Sequence, residues 1–269
     1  MKTFFFDTAN IEFIRNTWDS LKPHVSPKLV AGITTNPNAF FKINKHELQE
    51  WFEHLPKLCA LVSEIRGDNK GVVYVQVPSA DMAPEEVIEY AKTVSNLNDG
   101  QTKIGLKIPP YKSILEINNE LQKYVETNVT GLADCATALK CIPYGIDYIS
   151  IIPGRMEEVG IDAKAHIDFV NQTKKDNTKI ISGSMRTLEQ LIWTWQYDTI
   201  PTIGERVWPL ILEGDILTNL LQNIDYSNIP HKSSFSPLIT EDNINLSINF
   251  FKQMNECGVT ATKNWNDRK

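Results

Sequence analysis

Short apolar runs alternate with longer amphipathic stretches from residue 3 to beyond residue 200. A run of four to eight apolar residues predicts a strand buried on both faces, and apolar positions recurring every three or four residues predict a helix with one buried face. The runs fall at Thr3–Phe6, Leu29–Ile33, Val72–Val77, Lys103–Ile108, Tyr124–Val129, Tyr148–Ile152, Lys179–Ser182 and Thr199–Ile200. Helical patterns separate them, for instance Pro84 to Leu97, where Glu85-Glu86 suits the positive end of a helix dipole. Eight strands, each followed by a helix, predict an α/β protein built as a closed parallel (β/α)8 TIM barrel. An open nucleotide-binding sheet would carry a glycine-rich first turn, whereas Asp7-Thr8-Ala9-Asn10 follows the first strand here.

The pattern changes near the end of the chain. Residues 1–232 are assigned to the barrel, and residues 233–269 to an extension packing on the barrel or on a neighbouring subunit. Within it, Ser233-Ser234-Phe235-Ser236-Pro237 reads as a loop and Glu241 to Met254 as one amphipathic helix. The last dozen residues are polar and either fray or dock through Trp265.

Composition adds few constraints. A chain of 269 residues with 42% hydrophobic residues suits one domain of this type. A net charge of −6 argues against a nucleic-acid partner, which calls for a clustered basic face. The opening Met1-Lys2-Thr3-Phe4-Phe5-Phe6 is too short an apolar run for a signal peptide, and no stretch approaches a membrane span, so a cytoplasmic protein with no membrane partner is expected. Cys59, Cys135, Cys141 and Cys257 lack ligand spacing, and the five histidines are scattered, so no metal site is expected. Trp193, Trp195, Trp208 and Phe40-Phe41 read as packing residues.

In a (β/α)8 barrel, chemistry sits at the C-terminal ends of the strands. Seven consecutive ends here carry polar or ionisable groups: Asp7, Thr34-Thr35-Asn36, Gln76, Lys107, Asn128-Val129-Thr130, Ser150 with Arg155 beyond it, and Ser182-Gly183-Ser184-Met185-Arg186. Lys107 stands out inside an apolar strand, Ile104-Gly105-Leu106-Lys107-Ile108. Burial depresses a lysine pKa, and a neutral amine is what attack on a carbonyl requires, unless the side chain snorkels to water. Asp7 is a candidate proton shuttle for that amine; taken alone, the rule that aspartate caps helices favours an N-cap before Asn10-Ile11-Glu12. Gln76 and Thr130 flank strand 4 and are candidates to hold a water. Arg155, Ser184 and Arg186, with Ser150, are candidates for an anion pocket, against the alternative of surface arginines in ion pairs.

These segments together resemble the transaldolase family, including its small-barrel branch and the fructose-6-phosphate aldolases. The matching pieces are Phe6-Asp7-Thr8-Ala9, Gly32-Ile33-Thr34-Thr35-Asn36-Pro37, Leu106-Lys107-Ile108-Pro109, Thr127-Asn128-Val129-Thr130, Tyr148-Ile149-Ser150, Pro153-Gly154-Arg155, Ser184-Met185-Arg186 and Thr199-Ile200-Pro201. The resemblance implies a Schiff-base lysine at Lys107, a proton shuttle at Asp7, and ketose-hydroxyl ligands at Asn36 beside Thr35. It further implies a catalytic water at Thr130, and a phosphate pocket of Ser150, Arg155, Ser184 and Arg186. It implies no metal or organic cofactor, sugar phosphates as substrates, and a homo-oligomer. Gln76 stands where transaldolases carry glutamate and the aldolases glutamine; Ile152 stands where the two branches carry Phe or Tyr.

Three readings remain open. The first is a transferase moving a dihydroxyacetone unit from a ketose phosphate to an aldose in carbohydrate metabolism, as in the pentose phosphate route. The second is a lyase releasing free dihydroxyacetone, which Gln76 favours and the absence of a hydroxyl at Ile152 disfavours. The third is a catalytically silent phosphosugar-binding barrel, which has no use for the lysine.

Overall fold

The computed structural model describes residues 3–68, 70–98, 100, 102–174, 177–213 and 237–262. Eight parallel strands close on one another in sequence order: β1 (Phe4–Asp7), β2 (Val30–Thr34), β3 (Val72–Gln76), β4 (Lys103–Ile108), β5 (Glu126–Leu132), β6 (Tyr148–Ile151), β7 (Lys179–Ser182) and β8 (Ile200–Gly204), the last pairing with β1. Closure removes the sheet edges that would otherwise stay unpaired.

Outside lie α1 (Ile11–Leu21), α2 (Pro37–Lys42), α3 (Leu48–Arg66), α4 (Pro84–Ser95), α5 (Lys112–Leu115), α6 (Asn118–Leu121), α7 (Cys135–Cys141), α8 (Pro153–Glu158), α9 (Ala163–Thr173), α10 (Leu188–Gln196), α11 (Trp208–Leu212) and α12 (Glu241–Thr262). Their apolar stripes, such as Trp51, Leu55, Leu58, Val62 and Ile65 of α3, bury against the outward faces of the strands. Burying each such side chain stabilises the fold by about 1.5–3 kcal/mol. Trp193, Trp195, Trp208 and Phe40 are indeed buried, Phe40 stacking on Trp51 at 4.8 Å.

Several boundaries differ from the sequence expectation. Strand β5, expected over Tyr124–Val129, runs instead from Glu126 to Leu132. At its start the Tyr124 and Val125 amides donate back to the Leu121 carbonyl, finishing the turn of α6. At its far end Gly131, at φ 76°, shifts the register against β6 between Val129 and Leu132, a bulge that a strand-like pattern does not reveal. Strand β8, expected to stop at Ile200, continues to Gly204; Pro201 and Gly204 hide it, although Pro201 pairs opposite Ser182. The terminal helix, expected to end at Met254, reaches Thr262 and passes through Gly258, where a Cβ would lie 1.5 Å from the Pro78 carbonyl. The expected loop over residues 233–236 and Trp265 lie outside the described residues.

Helix α12 packs across the C-terminal ends of the strands. Asn243 Nδ2 donates to the Ala133 carbonyl at 2.5 Å, and Ser247 Oγ to the Gly131 carbonyl at 3.0 Å. Asn255 accepts from the Ala80 amide at 2.7 Å and donates to Asp81 at 2.9 Å. The helix thereby spans from the end of β5 to the loop after β3 and packs on α2 as well, while a cavity stays open beside the ends of β7, β8 and β1. No helix among the described residues is long and apolar enough to cross a membrane.

Candidate active site

Side chains alternate faces along a strand, so residues two apart share the barrel interior. The lower storey is an apolar and aromatic plug: Phe5, Val72, Tyr74 and Ile181 form a cluster separate from the outer core, with Phe5 and Tyr148 edge-on to Tyr74 at 5.7 Å. Tyr74 donates its hydroxyl to Glu126. One step up the pleat, Phe5 gives way to Asp7, Tyr74 to Gln76, Glu126 to Asn128 and Tyr148 to Ser150. Backbone register sets Gln76 opposite Lys107, Lys107 opposite Asn128, and Asp7 opposite Thr34. A polar storey thus rests on a hydrophobic floor.

Lys107 lies inside this storey at 7% exposure, and it does not snorkel. Its Nζ donates to the Thr35 carbonyl at 3.1 Å. Burial pulls its pKa below the ordinary 10.5, while the negative charge of Asp7 opposes the fall. Asp7 is half-buried and accepts from Thr34 Oγ1 at 2.8 Å. It does not cap α1: Asn10 does, accepting from the Phe13 amide at 3.0 Å. The cap reading of Asp7 is therefore overturned, and its carboxylate stays available at the barrel mouth.

Beside the lysine, Gln76 and Asn128 are both buried, and Gln76 Oε1 and Asn128 Nδ2 have no partner among the described residues. Unpaired buried polar atoms cost about 1–3 kcal/mol each, so two in one storey point to a ligand or water that completes them. Ser150 Oγ donates to Asn128 Oδ1 at 2.8 Å. Ser150 thus joins the lysine storey and does not line the arginine cavity with which the sequence grouped it. Thr130, buried, lies two residues beyond Asn128 on β5. Thr35 is buried as well, its Oγ1 donating to the Tyr74 carbonyl at 3.0 Å, while Asn36 caps α2 by accepting from the Ala39 amide at 2.9 Å.

The open side of the mouth holds a cavity of about 390 Å³ lined by Asp7, Asn36, Arg155, Ser184, Arg186 and Arg206, among others. Gly154 lets the β6 and β7 loops interlock, since a Cβ there would stand 1.7 Å from the Ser184 carbonyl; this brings Arg155 and Ser184 together. Ser184 takes a left-handed φ of 58°, an unusual conformation for a side-chain-bearing residue. Glu158 Oε1 accepts from Arg186 Nε at 2.6 Å and from Arg206 at 3.3 Å. Burial, and then the neighbouring Arg186 charge, lower the pKa of Arg155. Lys42, Arg155, Arg186 and Arg206 face Asp7 and Glu205 in the lining, with Glu158 paired to two of the arginines, so one positive charge is left in excess to receive an anion.

The sequence reading missed Asn128, Arg206 and Glu158. Asn128 was within the quoted Thr127-Asn128-Val129-Thr130 segment, and its position two residues before Thr130 on a predicted strand was the available signal. Arg206 follows a strand whose end was misplaced, so no signal marked it. Among the described residues no three of His, Cys, Asp and Glu group where they could hold a metal ion.

Fold and site define a class: a closed parallel barrel with a buried lysine on its fourth strand, opening beside an arginine-rich cavity. The chain belongs to the transaldolase/fructose-6-phosphate aldolase family, a model of which matches residues 4–229. It is 28% identical over 187 residues to a probable transaldolase 2 of Bacillus anthracis, covering 68% of this chain and 77% of that protein. Against a probable transaldolase of Streptococcus equi subsp. zooepidemicus it is 27% identical, covering 81% and 94%. Among solved structures, thiamine phosphate pyrophosphorylase from Pyrococcus furiosus shares the fold, with a TM-score of 0.55 at 13% identity over 86% of this chain and 97% of that one. An aldolase named QR15 shares it with a TM-score of 0.50 at 13% identity, over 80% and 96%. Family membership and these relatives support an aldolase-type enzyme.

Proposed function

We propose that this protein is a cytosolic transaldolase-type transferase that moves a dihydroxyacetone unit from a ketose phosphate to an aldose acceptor through an imine on Lys107. The observation that carries the reading is the burial of Lys107 in a polar storey, its pKa lowered, next to the Asp7 carboxylate. A neutral amine is the competent nucleophile, and a low-dielectric site supplies it. Its lone pair adds to the ketose carbonyl carbon, and the carbonyl oxygen leaves as water after taking up two protons. Asp7 then takes the proton of the C4 hydroxyl; the C3–C4 bond breaks, its electron pair passes into the iminium to give an enamine, and the aldose phosphate leaves. The enamine carbon attacks the acceptor aldehyde, whose oxygen takes the proton back from Asp7, and water hydrolyses the imine to free Lys107.

Gln76 and Thr130 hold the water that serves these transfers. Asn36 beside Thr35, together with Asn128 and Ser150, binds the ketose hydroxyls. The phosphate lies against Arg155, Ser184 and Arg186, with Arg206 at the rim. No step in this scheme calls for a cofactor. Residues 1–232 form the catalytic barrel and residues 233–269 its extension; in a homo-oligomer, the exposed Ile244 and Ile248 of α12 would face a second subunit.

The runner-up, a lyase releasing dihydroxyacetone, is favoured by one observation: the free acceptor Oε1 of Gln76 beside the lysine, where it could hold the water that protonates the enamine. A ketose phosphate incubated with and without an aldehyde acceptor separates the two. Product that forms only with acceptor supports transfer; dihydroxyacetone accumulating without acceptor at the same rate replaces it with the lyase. No turnover and no lysine adduct under either condition leaves a phosphosugar-binding barrel.

A further inference from the structure

Arg155 is gripped from a distant part of the chain. Gln253 Oε1, on α12, accepts from Arg155 Nη1 at 2.9 Å, and the guanidinium carbon lies 5.2 Å from the centre of the Phe250 ring. Phe250 and Gln253 are three residues apart and therefore share one face of the helix. That face is fixed: Phe250 is buried edge-on to Phe251 at 5.1 Å, and the helix is bonded to the Gly131 and Ala133 carbonyls on one side and to Ala80 and Asp81 on the other. The chemistry of the grip is selective. Glu158 pairs with Arg186 and Arg206, while Arg155 receives a neutral amide and an aromatic face. Such partners hold a guanidinium in one orientation without neutralising it. The Arg155 Nε is buried and has no partner among the described residues, a donor left over for an incoming oxyanion.

We propose that Gln253 and Phe250 are positioning residues that aim Arg155 at the anionic end of the substrate, so that the C-terminal helix is part of the substrate-recognition apparatus. This rests on the assignment of the arginine cavity to the substrate phosphate. Removing the amide acceptor lets the guanidinium rotate, which weakens binding of the anion and leaves the lysine chemistry untouched.

The test uses the full-length chain with Gln253→Met, which keeps the length of the side chain and deletes the acceptor, and Phe250→Leu, which keeps an apolar group and deletes the ring. For Gln253→Met the KM for a ketose phosphate is expected to rise about five- to tenfold, the upper part of the range for loss of one ordinary hydrogen bond, with kcat nearly unchanged. The inhibition constant for inorganic phosphate should rise by the same factor, while borohydride trapping with unphosphorylated dihydroxyacetone stays as in the native protein. Phe250→Leu should behave alike, and in an Arg155→Ala background Gln253→Met should add nothing. An unchanged KM in Gln253→Met, where Arg155→Ala raises it, overturns the inference and leaves the proposed function standing. A lowered KM overturns it too, since the helix would then compete with the substrate for Arg155. If Arg155→Ala itself leaves phosphate inhibition unchanged, the phosphate assignment falls, and this inference with it.

Discussion

Replacing Lys107 with methionine is expected to raise the stability of the barrel while abolishing turnover. The native amine is 7% exposed and donates to the Thr35 carbonyl at 3.1 Å. Methionine has nearly the same length and no polar head, so it suits the storey above the Phe5 and Tyr74 plug. Loss of the Thr35 hydrogen bond costs about 1 kcal/mol. Exchanging a buried ionisable group for a packed apolar one returns about 1–4 kcal/mol. The net lies between about 0 and 3 kcal/mol; its midpoint, about 1.5 kcal/mol, raises Tm by about 3–6 °C for a chain of this size.

The gain has a definite pH dependence. Because the folded pKa of Lys107 lies below 10.5, the folded protein takes up the proton less readily than the unfolded chain does. Native stability is therefore lost as pH falls from 10.5 through the folded pKa, and the methionine variant escapes that loss. The advantage of the variant should be full below the folded pKa and shrink as pH approaches 10.5. Thermal denaturation of both proteins across that range, followed by circular dichroism, provides the measurement. A variant less stable than the native protein at neutral pH, or an advantage that grows toward alkaline pH, refutes the reasoning, for it would show a charged amine held firmly by Asp7.

Three further outcomes follow from the same geometry. The rate of imine trapping should rise with pH and level off below the ordinary lysine value of 10.5; a rate still climbing there would mean that burial does not tune the amine. Asn128→Ala deletes an unpaired buried donor beside Lys107 and the acceptor for Ser150, and should lower kcat/KM about a hundredfold with the Tm little changed, checked by steady-state kinetics beside a melting curve. Gly131→Ala places a Cβ 2.7 Å from Phe250 and from Phe251 at a left-handed φ of 76°, and should destabilise the protein by about 2–3 kcal/mol by denaturant titration; a neutral result would mean that α12 is not seated on the bulge.

Much of this architecture could be read from alternation alone, because a parallel barrel buries each strand on both faces and leaves compact apolar runs. The elements that escaped were those where a single residue overrode the pattern. Gly131 continues β5 through a bulge, Pro201 sits inside β8, and the terminal helix runs on through Gly258, which serves as a close contact. For the candidate site, strand-end position singled out Lys107, Asp7 and Gln76, since polar residues there contradict the apolar surroundings, and the register sets Gln76 opposite Lys107. Asp7 as a cap was the wrong local choice: aspartate is a good N-cap, but Asn10, three residues on, stands directly before the helix and takes the Phe13 amide. Ser150 was grouped with the arginines because it precedes them in the chain, whereas the pleat turns it inward onto Asn128. The grip of Gln253 on Arg155 joins residues 98 apart in sequence, and no local pattern announces it.

The central claim is that Lys107 forms an imine with a ketose. The direct measurement is to incubate the protein with a ketose phosphate, reduce with borohydride, and map the peptides by mass spectrometry. The account predicts one adduct, on Lys107, absent in Lys107→Met. An adduct on any other lysine, or a native protein that remains unmodified while it turns the sugar over, would contradict it.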